Sequence, residues 1–479
     1  MTRPDAVVVG SGPNGLAAAI LLAHHDLDVL VVEANEVPGG SVRSDFLTLP
    51  GFLHDVCSAV YPMAVGSPYF LSLPLHEHGL EWIHAPLPLA HPLEGDGLAV
   101  ALHRDPRETA AALASDGEAW LGLLEPLADD WHAFAEDVLG PLLRWPSHPF
   151  RMARFGLHGV RSASDLLRSM FDGEGARALL AGCAAHSFLP LDRRPSAAIG
   201  LVLAAAGHAV GWPIPRGGAG QLAEALVDHL RSLGGEIVTD WRVDTLEELP
   251  PSRAVLLDLT PRQVIAVARQ HLPDRYLRRL GRYRYGPGVL KVDWALDGPV
   301  PWSAPACGRA ATVHLGGTLS EIEAAERAPW EDRFSERPFV LFAEPTRFDA
   351  TRAPAGKGIG WGYCHVPSGW DGDLDEAADR IEAQVERFAP GFRGRVLARS
   401  VRGPAGLEAA NPNLVGGDIN GGVQDLAQLV GRPVLSRDPY ATPTPGLYLC
   451  SASTPPGGGV HGMCGYHAAR SALRRTFGA

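Results

Sequence analysis

Apolar and polar positions change period several times along the chain, and each change marks an element. "DAVVVG" (5–10) is an unbroken run rich in valine, whereas "PNGLAAAILLAHH" (13–25) carries its apolar residues at the spacing of a helix. "DVLVVE" (28–33) returns to strand character, so this stretch predicts strand, tight turn, helix, strand. Residues 66–209 read as helical, notably 105–143 and "SASDLLRSMF" (162–171), whose leading serine is a helix cap. The longest apolar run, "AAIGLVLAAAGHAVGW" (197–212), is broken by His208 and glycines. It falls short of the roughly 18 residues of a spanning helix and predicts a buried one.

Further on, "WPIPRGGAGQLAEALVDHLRSLGGEIVTDWRV" (212–243) predicts loop, helix, Gly-Gly turn and strand, and "RAVLLDLTP" (253–261) another buried strand. From about 280 to 435 the short runs "GVLKVDWAL", "FVLFAEP" and "GWGYCHV" predict a mixed sheet, with an amphipathic helix in "EAADRIEAQVERFAPGF" (376–392). The last stretch, "TPGLYLCSASTPPGGGVHGMCGYHAARSAL" (444–473), reads as strand, glycine-proline loop and a helix starting near Gly459. The expected fold class is α/β. No repeat or low-complexity linker separates its parts, so the domains are interleaved in sequence.

Composition narrows the function classes. The 479 residues suffice for two or three domains with a large core. A net charge of −12 and the lack of a basic run argue against nucleic acid. Six scattered cysteines form no C-x-x-C pair, which argues against a zinc site or disulfide framework and for a reducing, cytoplasmic setting. No signal peptide is evident before the first strand. Of the 42 basic residues only Lys291 and Lys357 are lysines, an arginine bias expected of a GC-rich bacterial genome.

The opening glycines have separable tasks. Gly10 permits the turn, Gly12 lets a pyrophosphate approach the backbone, and Gly15 brings helix against strand. The helix that begins with Pro13 and Asn14 offers N–H groups and a positive dipole end to phosphates. Glu33, 23 residues beyond Gly10, ends the second strand where a carboxylate can accept from a ribose hydroxyl. Together they form a dinucleotide-binding βαβ unit.

"EANEVPGGSVRSD" (33–45) then resembles the E-x(5-6)-G-G-x-x-R-[ST] segment of FAD enzymes that include phytoene desaturases and flavin amine oxidases, and "PGFLHDVCSAVYP" (50–62) resembles the phytoene desaturase-like group. The resemblance implies FAD, and a Rossmann-type FAD domain assembled from 1–65, 211–270 and 436–479. A substrate domain would combine a helical part, 66–210, with a mixed sheet, 271–435. It further implies cofactor contacts from Ala34, Gly39, Gly40, Ser41, Arg43, Asp55, Ser58, Ala59 and Val243. At the C-terminal end it implies Ser451, Gly458, Val460, His461, Gly462 and Met463, where a helix N-terminus would face the flavin.

"YGPGVLKVDWALDGPVPW" (285–302) looks like the strand of monoamine oxidases and lysine-specific histone demethylases whose lysine holds a water against flavin N5. Lysine on a strand is ordinarily a solvated face. In a chain that writes its cations as arginine, however, a compact ammonium at Lys291 suits holding one water. Lys291 is therefore a catalytic candidate, with His54 and His461 beside it as residues of flavin-adjacent segments. Tyr61, His186, Trp212, Trp294, Tyr363 and His365 are candidates for lining a substrate cavity. Lys357 reads as a loop cation, and "NPNLVGGDINGG" (411–422) as a dense turn of unassigned role.

The resemblance implies an FAD-dependent dehydrogenation of an apolar isoprenoid-like or secondary-metabolite substrate, with hydride passing to flavin N5. No second G-x-G-x-x-G unit occurs, so reoxidation is expected from oxygen or a quinone-like acceptor rather than from NAD(P)H. An apolar substrate is compatible with peripheral membrane contact, and a homodimer stays open. Alternatives are a flavin amine oxidase, a redox-neutral flavin isomerase, and a cofactor-free binding protein of the Rab GDP-dissociation-inhibitor kind. The intact Gly10, Gly12, Gly15 and Glu33 set opposes the last of these.

Overall fold

A computed structural model describes residues 3–95 and 97–479. The chain opens with β1 (Ala6–Val9), α1 (Pro13–Ala23) and β2 (Val29–Val32). A hairpin of β3 (Leu87–Pro92) and β4 (Ala99–Leu102) follows. Next come the helices α2 (Gly117–Ala128), α3 (Trp131–Val138), α4 (Pro149–Gly159), α5 (Ala163–Met170), α6 (Glu174–Ala185) and α7 (Ser196–Ala209). Then come α8 (Gly220–Ser232), β5 (Glu236–Val238), β6 (Ala254–Leu257), β7 (Gly288–Leu296), β8 (Ala310–Leu315), β9 (Val340–Ala343) and β10 (Gly358–Val366). The chain closes with α9 (Leu374–Phe388), β11 (Val396–Arg402), β12 (Leu447–Leu449) and α10 (Met463–Ala472).

Two sheets organise these elements. The first is all-parallel, in the order β12-β6-β1-β2-β5. The chain winds outward from β1 through β2 to β5 and then returns to the other side at β6. The switch point between β1 and β6 is where an open α/β sheet leaves a crevice for a ligand. Both faces of this sheet are covered at its centre, which is why β1, β2 and β6 are continuous apolar runs, whereas the edge strand β5 is partly exposed. The second sheet runs β11-β7-β10-β9-β8-β3-β4, antiparallel except where β8 meets β3.

Two sequence expectations change here. The span 66–209 is not wholly helical, because β3 and β4 join the second sheet. All six residues of β3 are buried, so no alternation of apolar and polar positions betrays a strand, and its partner β8 lies more than 200 residues away. The final helix starts at Met463 rather than near Gly459. Gly459 (φ 115°) and Gly462 (φ 67°) hold left-handed backbone that a helix cannot include. The run at 197–212 does form the buried helix α7, and Ser162 caps α5 by accepting from the Asp165 N–H. Among the described residues no helix is long and apolar enough to cross a membrane.

Candidate functional site

One cavity of about 540 Å³ runs from the first sheet's switch point to the second sheet. At one end it is lined by Gly10, Gly12, Pro13 and Asn14 of the turn, by Glu33 and Ala34 after β2, and by Val243. The turn is packed so closely that only glycine fits. A Cβ on Gly15 would lie 2.0 Å from the Gly10 carbonyl oxygen, and one on Gly12 would lie 2.7 Å from an Asp258 carboxylate oxygen. Glu33 is buried. Its carboxylate accepts from the Ser11 N–H and hydroxyl and from the Asn35 N–H, which fixes it at the cavity edge.

Asp258, at the end of β6, closes the other side of the switch point and accepts from the Gly15 N–H at 3.0 Å. Burial pushes its carboxyl up to about 7, with the nearby Glu33 charge adding to the rise and the Gly15 N–H opposing it. A folded-state value above the ordinary carboxyl value of 3.8 means that the native state favours the protonated form. The group's stabilising contribution is therefore complete below about pH 4 and is lost as pH rises through about 7. Asp258→Asn should flatten the fall in melting temperature across that window. A parallel slope in wild type and variant would disprove the assignment.

Farther along, the walls are Gly40, Ser41, Ser58, Ala59 and Tyr61 on one side and Ser451, Gly458, Val460 and His461 on the other. The Met463 N–H donates to His461 Nδ1 at 3.0 Å, so the His461 proton sits on Nε2. That Nε2–H is buried in the cavity wall without an acceptor among the described residues, and the Asn14 side-chain oxygen is buried there without a donor. Burial pulls His461 down to about 4, so it stays a neutral donor. Unmet polar groups beside a glycine-lined crevice at a helix N-terminus fit a dinucleotide that brings its own acceptors and donors.

Lys291 enters the cavity from β7. Alternation along that strand puts Lys291 and Asp293 on the cavity side and Trp294 on the other, where its indole N–H donates to Glu382 at 3.0 Å. Lys291 is 2% exposed, and its ammonium donates to the Asp293 carboxylate. Behind the pair, His54 Nδ1 lies 3.7 Å from Asp293 and His54 Nε2 lies 2.7 Å from the Thr48 hydroxyl. Burial lowers His54 to about 3, helped by the Lys291 and Arg352 charges, so it is neutral. Asp293 is raised by burial and held back by Lys291.

The rest of the cavity is largely apolar: Met63, Leu139, Phe188, Val202, Trp212 and Leu341. Trp361 and Tyr363, from β10, meet edge to face with ring centres 5.3 Å apart. His186 also faces the space, and its Nε2 lies 3.1 Å from Nε2 of His314. Burial draws His186 down to about 3 and His314 well below its ordinary value, so the pair is uncharged.

The cavity wall thus brings together most of the residues expected from sequence. Gly15, Gly39, Arg43, Gly462 and Met463 support the wall from behind. Asp55 is drawn off by Arg352, the Ser44 hydroxyl and the Ala219 N–H. Trp294 faces the opposite core. His365 stands outside the wall, paired with Glu326 at 2.6 Å and in tilted contact with the Phe188 ring. His54 sits in a second layer behind Lys291. Lys357 pairs with Asp297 in an exposed turn.

Sequence reasoning missed Asp258 and Asp293, and it found the dense turn 411–422 without a role. An acid ending a parallel strand at the switch point was a readable signal for Asp258. In the turn, Asn411 donates to Ser41 and Asn413 donates to the Asp258 carbonyl, while Asn420 lines the cavity. Among the described residues no three His, Cys, Asp or Glu side chains converge as metal ligands.

Residues 8–71 match the NAD(P)-binding Rossmann-like domain family. The chain is 27% identical to mouse pyridine nucleotide-disulfide oxidoreductase domain-containing protein 2, covering 98% of this chain and 93% of that one. An oxidoreductase from Methanosarcina mazei shares the fold with a TM-score of 0.68 at 16% identity, covering 98% and 99% of the two chains. Putrescine oxidase bound to putrescine shares it with a TM-score of 0.60 at 17% identity, covering 98% of each. The chain thus shares the α/β fold of putrescine oxidase, and its opening unit matches a Rossmann-like dinucleotide-binding family. FAD is the dinucleotide that its residues fit.

Proposed function

We propose that the protein is an FAD-dependent dehydrogenase of the phytoene desaturase-like kind, acting on a neutral, apolar isoprenoid-like or secondary-metabolite substrate and introducing a C=C bond. The observation that carries this reading is the charge map of the cavity. Glu33, Arg242, Asp244 and Asp258 cluster at the nucleotide end, and among the described residues Lys291 is the one charged side chain lining the remainder. A protonated amine finds no carboxylate there to pair with, and Asp293 is already engaged by Lys291.

When bound, FAD supplies the two-electron chemistry. The chain's own residues bind and orient. Glu33 would hold the ribose, and the glycine turn and the N-terminus of α1 the pyrophosphate. His461 Nε2–H offers a fixed donor along the wall. Apolar side chains exclude water from the substrate. Lys291, kept in place by Asp293, can hold one water at the cavity surface, which suits reoxidation by oxygen, with a quinone as the other acceptor class.

Anaerobic mixing of the FAD-loaded protein with polyenes, isoprenoids and primary amines tests the reading. Neutral apolar compounds should bleach the flavin's visible absorbance and yield a product two hydrogens lighter, whereas amines should leave it unchanged. Bleaching by amines alone would establish the second reading, a flavin amine oxidase, which the Trp361–Tyr363 aromatic pair and the shared fold of putrescine oxidase favour. Product formation with no net bleaching, from the reduced protein only, would mark an isomerase.

A further inference from the structure

The outer face of α4 inverts the usual helix pattern. Phe150, Ala153, Arg154 and Leu157 recur at helical spacing, and all four face solvent. Phe150 is 91% exposed and Leu157 is 72% exposed, and Val160 extends the stripe beyond the helix end. In the preceding loop Trp145 is 85% exposed, with Leu142 and Leu143 about half exposed beside it. Among the described residues Phe46, at 59%, is the one other exposed tryptophan or phenylalanine, so the chain has concentrated bulky apolar side chains on this surface.

Within residues 139–161 the charges have one sign. Residues 139–161 contain four arginines and two histidines and no acid, in a chain whose net charge is −12. Arg151 and Arg144 lean on Asp130 and Asp137 of the neighbouring helix α3 and the residue before it. Arg154 and Arg161 meet only oxygens that carry no charge: the Gly122 carbonyl, the Asp165 carbonyl and the Ser169 hydroxyl. Tryptophan, phenylalanine and leucine presented together with arginine is the composition of a helix lying in a bilayer interface.

We infer that α4 and the loop before it, residues 139–161, dock the protein on an anionic lipid bilayer. Trp145, Phe150 and Leu157 enter the headgroup and acyl boundary, and Arg154 and Arg161 meet lipid phosphates. A two-fold contact with a second copy is the poorer occupant, because it sets arginines against arginines with no acid inside the segment to answer them. The position also fits. Helix α4 packs on α7, whose Ile199, Val202 and Leu203 line the cavity, and Leu139 at the start of the segment lines it too. The docked face therefore adjoins the apolar end of the cavity. The surface assignment stands on exposure and charge and is independent of the reaction proposed above.

Sedimentation of the full-length, FAD-loaded protein with vesicles tests this directly. It should pellet with phosphatidylcholine vesicles containing phosphatidylglycerol and bind pure phosphatidylcholine more weakly. The triple variant Trp145→Ser, Phe150→Ser, Leu157→Ser should lower the bound-to-free ratio by at least about tenfold. Its melting temperature and flavin content should be preserved, because these side chains support no core. Arg154→Glu should abolish the preference for phosphatidylglycerol. Failure of the wild type to pellet with either vesicle, or equal binding by the triple variant, would overturn the assignment. So would a wild-type dimer that the triple variant dissociates while neither protein binds lipid.

Discussion

Replacing Lys291 by methionine is expected to destabilise the fold by about 3–5 kcal/mol, and Asp293→Asn in the same chain to restore most of that loss. Removing the ammonium alone leaves the Asp293 carboxylate buried, with its other oxygen already lacking a partner and a neutral His54 as nearest neighbour. Removing both charges leaves two uncharged side chains in the same place. Thermal melts of the two single variants and the double variant give the coupling as a double-mutant cycle. Reoxidation of the dithionite-reduced, FAD-loaded protein by oxygen should behave differently. It should slow by more than tenfold in Lys291→Met and stay slow in the double variant. Stability that recovers while reoxidation does not would separate the lysine's chemical task from its structural one. An unchanged reoxidation rate in Lys291→Met would remove the chemical task altogether.

The second large effect is expected at Gly465, in the helix that packs on the glycine turn. Helix α10 crosses α1 with their backbones in contact, and a Cβ on Gly465 would stand 1.8 Å from the Asn14 carbonyl oxygen. No side-chain rotation relieves a clash with backbone. Gly465→Ala must push the two helices apart, at an expected cost above about 3 kcal/mol. The shift falls on the turn that carries Gly12 and Gly15, so flavin content per polypeptide should drop with the melting temperature. A variant that keeps full flavin and wild-type stability would show that α1 and α10 can separate freely.

The contrast between these two positions shows what the sequence could reveal. The nucleotide half was legible because backbone constraints are written locally. Gly10, Gly12, Gly15 and Glu33 lie within one βαβ unit, and their spacing alone implies the crevice. Lys291 was legible for a different reason, scarcity of lysine in an arginine-rich chain. Asp293, two residues away, was passed over because only the strand's alternation, combined with knowledge of which side faces the cavity, sets it beneath Lys291 and sends Trp294 the other way. The β3–β4 hairpin was hidden because a strand buried on both faces looks like any apolar run. His365 looked like cavity lining and is instead held by Glu326, 39 residues earlier, through a pairing that no local pattern encodes. The turn at 411–422 was visible as a turn, but its work of tying Ser41 to the loop after β6 joins three distant segments.

The order of strands in the first sheet also sets a timetable for biosynthesis. β12 is its edge strand beside β6, and α10 completes the packing of α1, yet both follow β1 by more than 400 residues. A nascent chain of 440 residues already holds the glycine turn and Glu33 but lacks the wall from Ser451 to His461 that faces them across the cavity. A chain cut before Ser451 would keep the turn and Glu33 with no wall to face them.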